Sequence, residues 1–388
     1  MSYNNGMGSE KRHFAGLDEL RALCALGVVV FHIETLKKIS GQFSFAELPV
    51  ITGMGYYGVR CFYVLSGFLV AYLLLEERQT RGSVSLSSFY LKRFCRIAPI
   101  YYLVVLFTFF IFPSINPLQT SMNVDRAYTW PNLGLHLAFL PQVGLEKYPL
   151  LIGATQLWTI GVEMQFYLLF PLLFLLGRRN LPLLFFICYF GFYFFRLFYR
   201  GLSFLDSPFL MTGLNFINEI VAYIRIQPMI VGAFAGWILH AHQTKILKVV
   251  YSRTMQIFIL GTIATFYTIF PSYNYPFFQR FTPEPFVFSI LILNLCGNPH
   301  GLIHVRSKFL NQCGKFSYGI YVYHLIFIEI VLGILLKYRL FESSSFLFNL
   351  ILYSAVFSTT LLTSWVSFRF LEKPILKICS KRVSGHVS

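Results

Sequence analysis

The sequence predicts an all-α protein: a polytopic transmembrane bundle of about ten spanning helices plus a short re-entrant or interfacial helix. Three observations lead there. Of 388 residues, 56% are apolar and 19% aromatic, while 12% are charged, too little polar surface for a water-soluble domain. The mean hydropathy is +0.62. Apolar stretches near the length a helix needs to cross a bilayer, about 20 residues, recur along the whole chain.

In order they are 17–36, 56–75, 96–112, 157–176, 182–199, 217–239, 255–270, 284–297, 317–336 and 346–369. A further run, Leu133 to Leu140, is too brief to cross and takes the re-entrant or interfacial position. The first residues, Met1 to Arg12, are polar, and no small-residue cleavage site follows the first apolar run, so no cleavable signal peptide is expected. With the N terminus inside, nineteen Lys and Arg residues fall on inner segments and eight on outer ones. Basic residues collect on the cytosolic side, which predicts cytosolic N and C termini and an even number of spans. The net charge of +16 then reads as topology and contact with an anionic leaflet, not as nucleic-acid binding. The seven cysteines, Cys24, Cys61, Cys95, Cys188, Cys296, Cys313 and Cys379, are odd in number and lack metal-type spacing. Free thiols are expected.

Polar residues inside apolar spans carry the functional signal. Arg21 and His32 lie eleven apart in the first span. Three helical turns take about 10.8 residues, so both project from one face, roughly 16 Å apart. Ionisable groups in a span usually face the bundle interior or a wet cavity. A neutral imidazole can take a proton from a hydroxyl, and Arg21 could hold an anion. The plainer alternative is a snorkelling arginine and a packing histidine. Arg93 and Arg96 share a face at the inner start of the third span, where two guanidiniums could bind phosphates bidentately. Basic residues there also serve as ordinary topology signals. Glu163, in an apolar helix, needs a partner, with Arg21, Arg60 and His32 as candidates. His324 shares a face with Ser317 and Tyr321, a polar stripe that suits a lined cavity or helix–helix hydrogen bonds. Arg60, Arg196 and Arg225 are further intramembrane cations without an assigned role.

The long outer connection 113–156 holds Asn116, Gln119, Asn123, Asp125, Tyr128 and Trp130. These suit a polar acceptor, and equally any exposed loop. There is no P-loop, dinucleotide glycine pattern, zinc-type His/Cys spacing or Gly-x-Ser-x-Gly elbow, which argues against an ATP-driven pump and a serine hydrolase. No metal site is expected.

Six stretches in order give these residues a family pattern. They are Leu17-Asp18-Glu19-Leu20-Arg21-Ala22 with Phe31-His32; Gly58 to Phe68; Phe89 to Tyr102; Leu157-Trp158 to Tyr167; Ser317-Tyr318 to His324; and Phe368-Arg369-Phe370-Leu371-Glu372-Lys373-Pro374. Together they resemble the acyltransferase family 3 membrane proteins from Leu17 to Pro374. The family's Arg-x10-His motif falls on Arg21 and His32, its Arg-x-x-Arg motif on Arg93 and Arg96, and its Trp-x4-Glu segment on Trp158 and Glu163. The Ser-Tyr…His segment falls on Ser317, Tyr318 and His324. The chain departs from the pattern at Glu19 and Ala22, where Gly is usual, at Arg60, where an acid is common, and at Met164, where a second Glu is common. No fused soluble domain of the kind some members carry is expected.

The resemblance implies transfer of an acyl group, often acetyl, from acyl-CoA to a hydroxyl of a glycan, lipid or small molecule, as in polysaccharide modification. His32 and Glu163 would be catalytic. Arg21, Arg93 and Arg96 would bind the donor, and Trp158, Tyr321 and His324 the acceptor. Acyl-CoA, acetyl-CoA foremost, would be a co-substrate, with no permanently bound cofactor. Residues 1–374 would form one integral-membrane acyltransferase domain and 375–388 a short basic cytosolic tail, in a bacterial inner membrane. A transporter or exporter of a glycan or lipid is the other class. It would show broken helices with Gly or Pro near the site, and the spans have no convincing symmetry.

Overall fold

A computed structural model describes residues 14, 16–116, 129–149, 151, 153–177, 179–202, 225–269, 283–303, 306–340 and 345–385. Among them every regular element is helical. Helix α1 spans Leu17–Ile39 and starts after Gly16, whose φ of 82° is the left-handed backbone that glycine adopts freely. Asp18 and Glu19 in its first turn and Lys37 and Lys38 in its last complement the helix dipole. Helix α2, Pro49–Arg81, opens on proline and stops at Gly82, with φ 73°. Helix α3, Leu86–Phe110, is capped by Ser85, whose side chain accepts from the Ser88 amide.

The short helices α4, Trp130–Leu137, and α5, Pro141–Lys147, precede the apolar α6, Leu157–Leu176. There follow α7, Leu181–Leu202; α8, Gln227–His240; α9, Thr244–Val250; α10, Arg253–Thr268; and α11, Glu284–Gly297. Next come α12, Lys308–Lys315, and α13, Ser317–Lys337. Helix α14, Ser345–Ser367, runs through a π turn at Phe368–Glu372 into α15, Lys373–Gly385. The helix runs on past Pro374, the residue at which the sequence reading ends the membrane domain. The π turn directly before Pro374 accommodates a residue that removes one intrahelical hydrogen bond.

Helix α2 is the centre of the bundle, flanked by α1 and α8. Its contact with α8 is backbone on backbone. Gly232 packs on the Val64 carbonyl and Gly236 on the Phe68 carbonyl, with no room for a Cβ at either. Glycines four apart allow this approach, which suits helices that associate by close packing in lipid. On its other side, the stripe Ala22, Ala25, Val29 and Ile33 of α1 joins Ile320 and Ile328 of α13 and Leu352 and Val356 of α14 in one core.

Five described helices are long and apolar enough to cross a membrane: α2, α3, α6, α13 and the continuous rod Ser345–Arg382. Helices α9 and α10, bent by 58°, add a sixth if taken as one span. The expected count of about ten is thus not reached among the described residues. Helix α1 carries Glu34, Lys37 and Lys38 besides its N-terminal charges. Helix α11 has only 14 residues, and most of 203–226 lies outside the described residues.

The run Leu133 to Leu140 is helical only to Leu137, and Phe139 takes a positive φ of 57°. It folds into the bundle against α3, where Tyr101 donates to the His136 carbonyl at 2.7 Å and Tyr102 to that of Leu137 at 3.1 Å. The expectation of free thiols throughout is corrected at one pair. Cys95 of α3 and Cys379 of α15 form a disulfide across 284 residues, a proximity that spacing alone does not reveal.

Candidate active site

Helices α1, α2, α3, α6 and α13 enclose a cavity of about 90 Å³. Three guanidiniums face it, from Arg21, Arg93 and Arg96, with Ser66, Glu163, Tyr167, Ser317, Tyr318 and Tyr321 among the other lining residues. The sequence accounts for the convergence locally. Arg93 and Arg96 are three apart on α3, and Ser317 and Tyr321 are four apart on α13, so each pair shares a helix face.

Each cation is held differently. Arg21 donates to Asp18 of its own first turn at 3.1 Å. The Arg93 guanidinium lies 5.0 Å from the centre of the Tyr167 ring and 5.5 Å from that of Phe89. Contact with the ring faces favours the cation, and the Arg93 side chain also hydrogen-bonds Tyr167. Arg96 closes no ion pair among the described residues; the buried carboxylate of Glu372 in the π turn interacts with it electrostatically.

Glu163 accepts from Ser66 of α2 and from Tyr167, one turn along α6. The partners expected for it, Arg21, Arg60 and His32, are not the ones it takes. Arg60 instead pairs with Glu284 at 3.4 Å and donates to Tyr56 at 2.9 Å. Thr159 donates to the Tyr321 hydroxyl at 2.9 Å, and Tyr318 to the Ile97 carbonyl at 2.9 Å. These bonds tie α6 and α3 to α13 around the cavity.

The histidines lie beside this cavity and are not part of its lining. His324, fully buried, is one turn beyond Tyr321, with ring centres 5.7 Å apart. Its Nε2 is 3.1 Å from Nδ1 of His32. That same Nδ1 is 3.0 Å from the Val28 carbonyl, and Nδ1 of His324 is 2.7 Å from the Tyr321 carbonyl. Among the described residues, no third His, Cys, Asp or Glu joins the pair to make a metal cluster.

The structure therefore gathers Arg21, Arg93, Arg96, Glu163 and Tyr321 in one cavity, with His32 and His324 paired next to it. Trp158 stands apart, its ring 5.6 Å from the Arg225 guanidinium, which reaches Glu146 at 3.9 Å. Of the polar outer-loop residues, Gln119, Asn123, Asp125 and Tyr128 lie outside the described residues. Sequence reasoning missed Ser66, Tyr167 and Tyr318 as cavity residues. Tyr167 was accessible to it: it stands four residues after Glu163, the spacing at which helix side chains meet.

The acyltransferase domain model of family 3 matches residues 14–369. Two relatives named O-acetyltransferase OatA, from Staphylococcus aureus strains NCTC 8325 / PS 47 and COL, are each 26% identical over 394 residues. A third S. aureus protein (strain COL), provisionally named an O-acetyltransferase, is 23% identical over 379 residues. Each match covers 94% of this chain and 58% of the relative, so the chain spans under two thirds of their length. No solved structure matches. On a match over nearly its whole length, the chain belongs to the acyltransferase 3 family.

Proposed function

We propose that the chain is a membrane O-acyltransferase that moves an acyl group, acetyl foremost, from acyl-CoA to a hydroxyl of a glycan, lipid or small molecule. The observation that carries this reading is a cavity with three arginines adjoining a histidine pair, His32 with the buried His324. Planar guanidinium forks suit phosphate oxygens, so Arg93 and Arg96, with Arg21, would hold the donor's phosphates. The name O-acetyltransferase borne by the relatives supports acetyl as the group.

His32 is the base. Its Nε2 has no hydrogen-bond partner among the described residues, whereas Nδ1 is engaged. The acceptor hydroxyl gives its proton to Nε2 while its oxygen attacks the thioester carbonyl. The tetrahedral centre collapses, the C–S bond breaks, and the CoA thiolate leaves with the proton returned by the imidazolium. Ester and free CoA are the products. Glu163, hydrogen-bonded to Ser66 and Tyr167, supports the donor side and does not orient the base. The donor enters from the cytosol and the acceptor from the opposite side of a bacterial inner membrane, with both termini cytosolic.

The test is transfer of radiolabelled acetyl from acetyl-CoA by purified protein in nanodiscs, using envelope glycans and simple alcohols as acceptors. Labelled ester and stoichiometric free CoA are expected, both lost in His32→Ala. Glycan movement across vesicles with no label transfer overturns the reading in favour of a transporter.

A further inference from the structure

We propose that His324 is a positioning residue: it holds His32 as the Nδ1–H tautomer, so that Nε2 is the basic nitrogen. The inference rests on the reading of His32 as the base, and it adds a partner that this reading does not require.

The argument is one of donors and acceptors. A carbonyl oxygen only accepts. Nδ1 of His324, 2.7 Å from the Tyr321 carbonyl, therefore carries a hydrogen. In a neutral ring the other nitrogen is then a lone pair, so Nε2 of His324 accepts. It faces Nδ1 of His32 at 3.1 Å, which must donate. An independent contact demands the same. Nδ1 of His32 is 3.0 Å from the Val28 carbonyl, another pure acceptor. Both constraints place a hydrogen on Nδ1 of His32 and leave its Nε2 bare.

Alternative protonation states fail on geometry. A doubly protonated His324 would set an N–H of Nε2 against the N–H of His32 Nδ1. The opposite tautomer of His32 would set two lone pairs together and a third on the Val28 carbonyl. Burial of His324 at 0% exposure gives water no access to relieve either conflict.

The pair also suits the protonated state. When Nε2 of His32 takes the acceptor's proton, its Nδ1–H still points at the lone pair of His324. That hydrogen bond becomes charge-assisted and strengthens. A carboxylate would do the same with a permanent negative charge in lipid; a neutral imidazole does it without one. Nothing else in the site has this role, because Glu163 is committed to Ser66 and Tyr167. His324 is thus not the acceptor-binding residue of the sequence reading: both ring nitrogens are occupied and it does not line the cavity.

Two variants separate positioning from packing. His324→Phe keeps a ring and removes the acceptor. His324→Gln keeps a side-chain oxygen able to reach the place of Nε2. In acetyl transfer, kcat of the Phe variant should fall about 10- to 100-fold, the value of one charge-assisted hydrogen bond. Its KM for acetyl-CoA should stay within about twofold, and Gln should recover most of the lost kcat. A Phe variant with wild-type kcat, or a folded Gln variant no better than Phe, overturns the proposal. A second measurement needs no activity. Nitrogen-15 spectra of histidine-labelled protein in nanodiscs, assigned by His32→Gln, should show Nδ1 of His32 protonated and Nε2 not. The reverse tautomer overturns the proposal even if acetyl transfer is confirmed. Loss of transfer in the wild type, with the expected tautomer present, removes the functional reading alone.

Discussion

Ser66 of α2 donates a hydrogen bond to the carboxylate of Glu163 on α6, ninety-seven residues away. That bond, with the one from Tyr167, holds the acid in the lining of the arginine cavity. Glu163 fixes the hydroxyl of Tyr167, and the Tyr167 ring faces the Arg93 guanidinium at 5.0 Å. Through this ring the acid is linked to the Arg93 side of the cavity.

This arrangement separates the ring from the hydroxyl. Tyr167→Phe keeps the face under Arg93 and should leave acetyl-CoA affinity within about twofold. Tyr167→Ala removes the platform and should weaken affinity about five- to tenfold, within the range of a partly desolvated cation–π contact. Calorimetry on detergent-purified protein distinguishes the two; equal losses in both would assign the effect to the hydroxyl.

Replacing Arg93 and Arg96 together by Ala should reduce acetyl-CoA binding at least tenfold while the thermal midpoint moves little. A double Lys variant should recover only part of it, because an ammonium lacks the planar fork. Unchanged affinity in the folded double Ala variant would reduce the pair to a topology signal.

His32→Ala should leave expression and acetyl-CoA binding near normal and lower transfer about 10²- to 10⁴-fold, the usual contribution of a general base. His32→Gln is the sharper test, since it keeps a hydrogen bond and removes the base. Activity above about a tenth of wild type in the Gln variant sinks the assignment.

Arg60 and Glu284 should matter to stability and not to donor binding. Glu284, 2% exposed, sits 3.4 Å from Arg60. Glu284→Gln leaves a part-buried cation short of its partner and should destabilise by about 3 kcal/mol. A paired Arg60→Met, Glu284→Leu exchange should regain most of it. Denaturation in mild detergent reads both, and acetyl-CoA affinity should be unchanged throughout.

Gly232→Leu should prevent α8 from seating on α2, since a Cβ at 232 meets the Val64 backbone. The expected result is loss of monodisperse protein on size exclusion. The same change at Gly261, which has open space around its Cβ position, should be tolerated.

The sequence by itself determined the class and the charged residues of the cavity. An apolar chain with Arg21, Arg93, Arg96 and Glu163 set into its spans must either pair these charges or gather them around a wet space, because lipid does neither. Helical periodicity then put Arg93 with Arg96, and Ser317 with Tyr321, on common faces. Periodicity acts within one helix and is silent on which helix lies opposite. Tertiary packing alone decided that Glu163 meets Ser66, that Arg60 meets Glu284, that Cys95 meets Cys379, and that Trp158 stands outside the cavity. It also decided the meeting of His32 with His324, 292 residues apart. A hydrogen bond needs its atoms within about 3 Å, and that distance is set by how α1 and α13 pack against each other, which no single-helix pattern encodes.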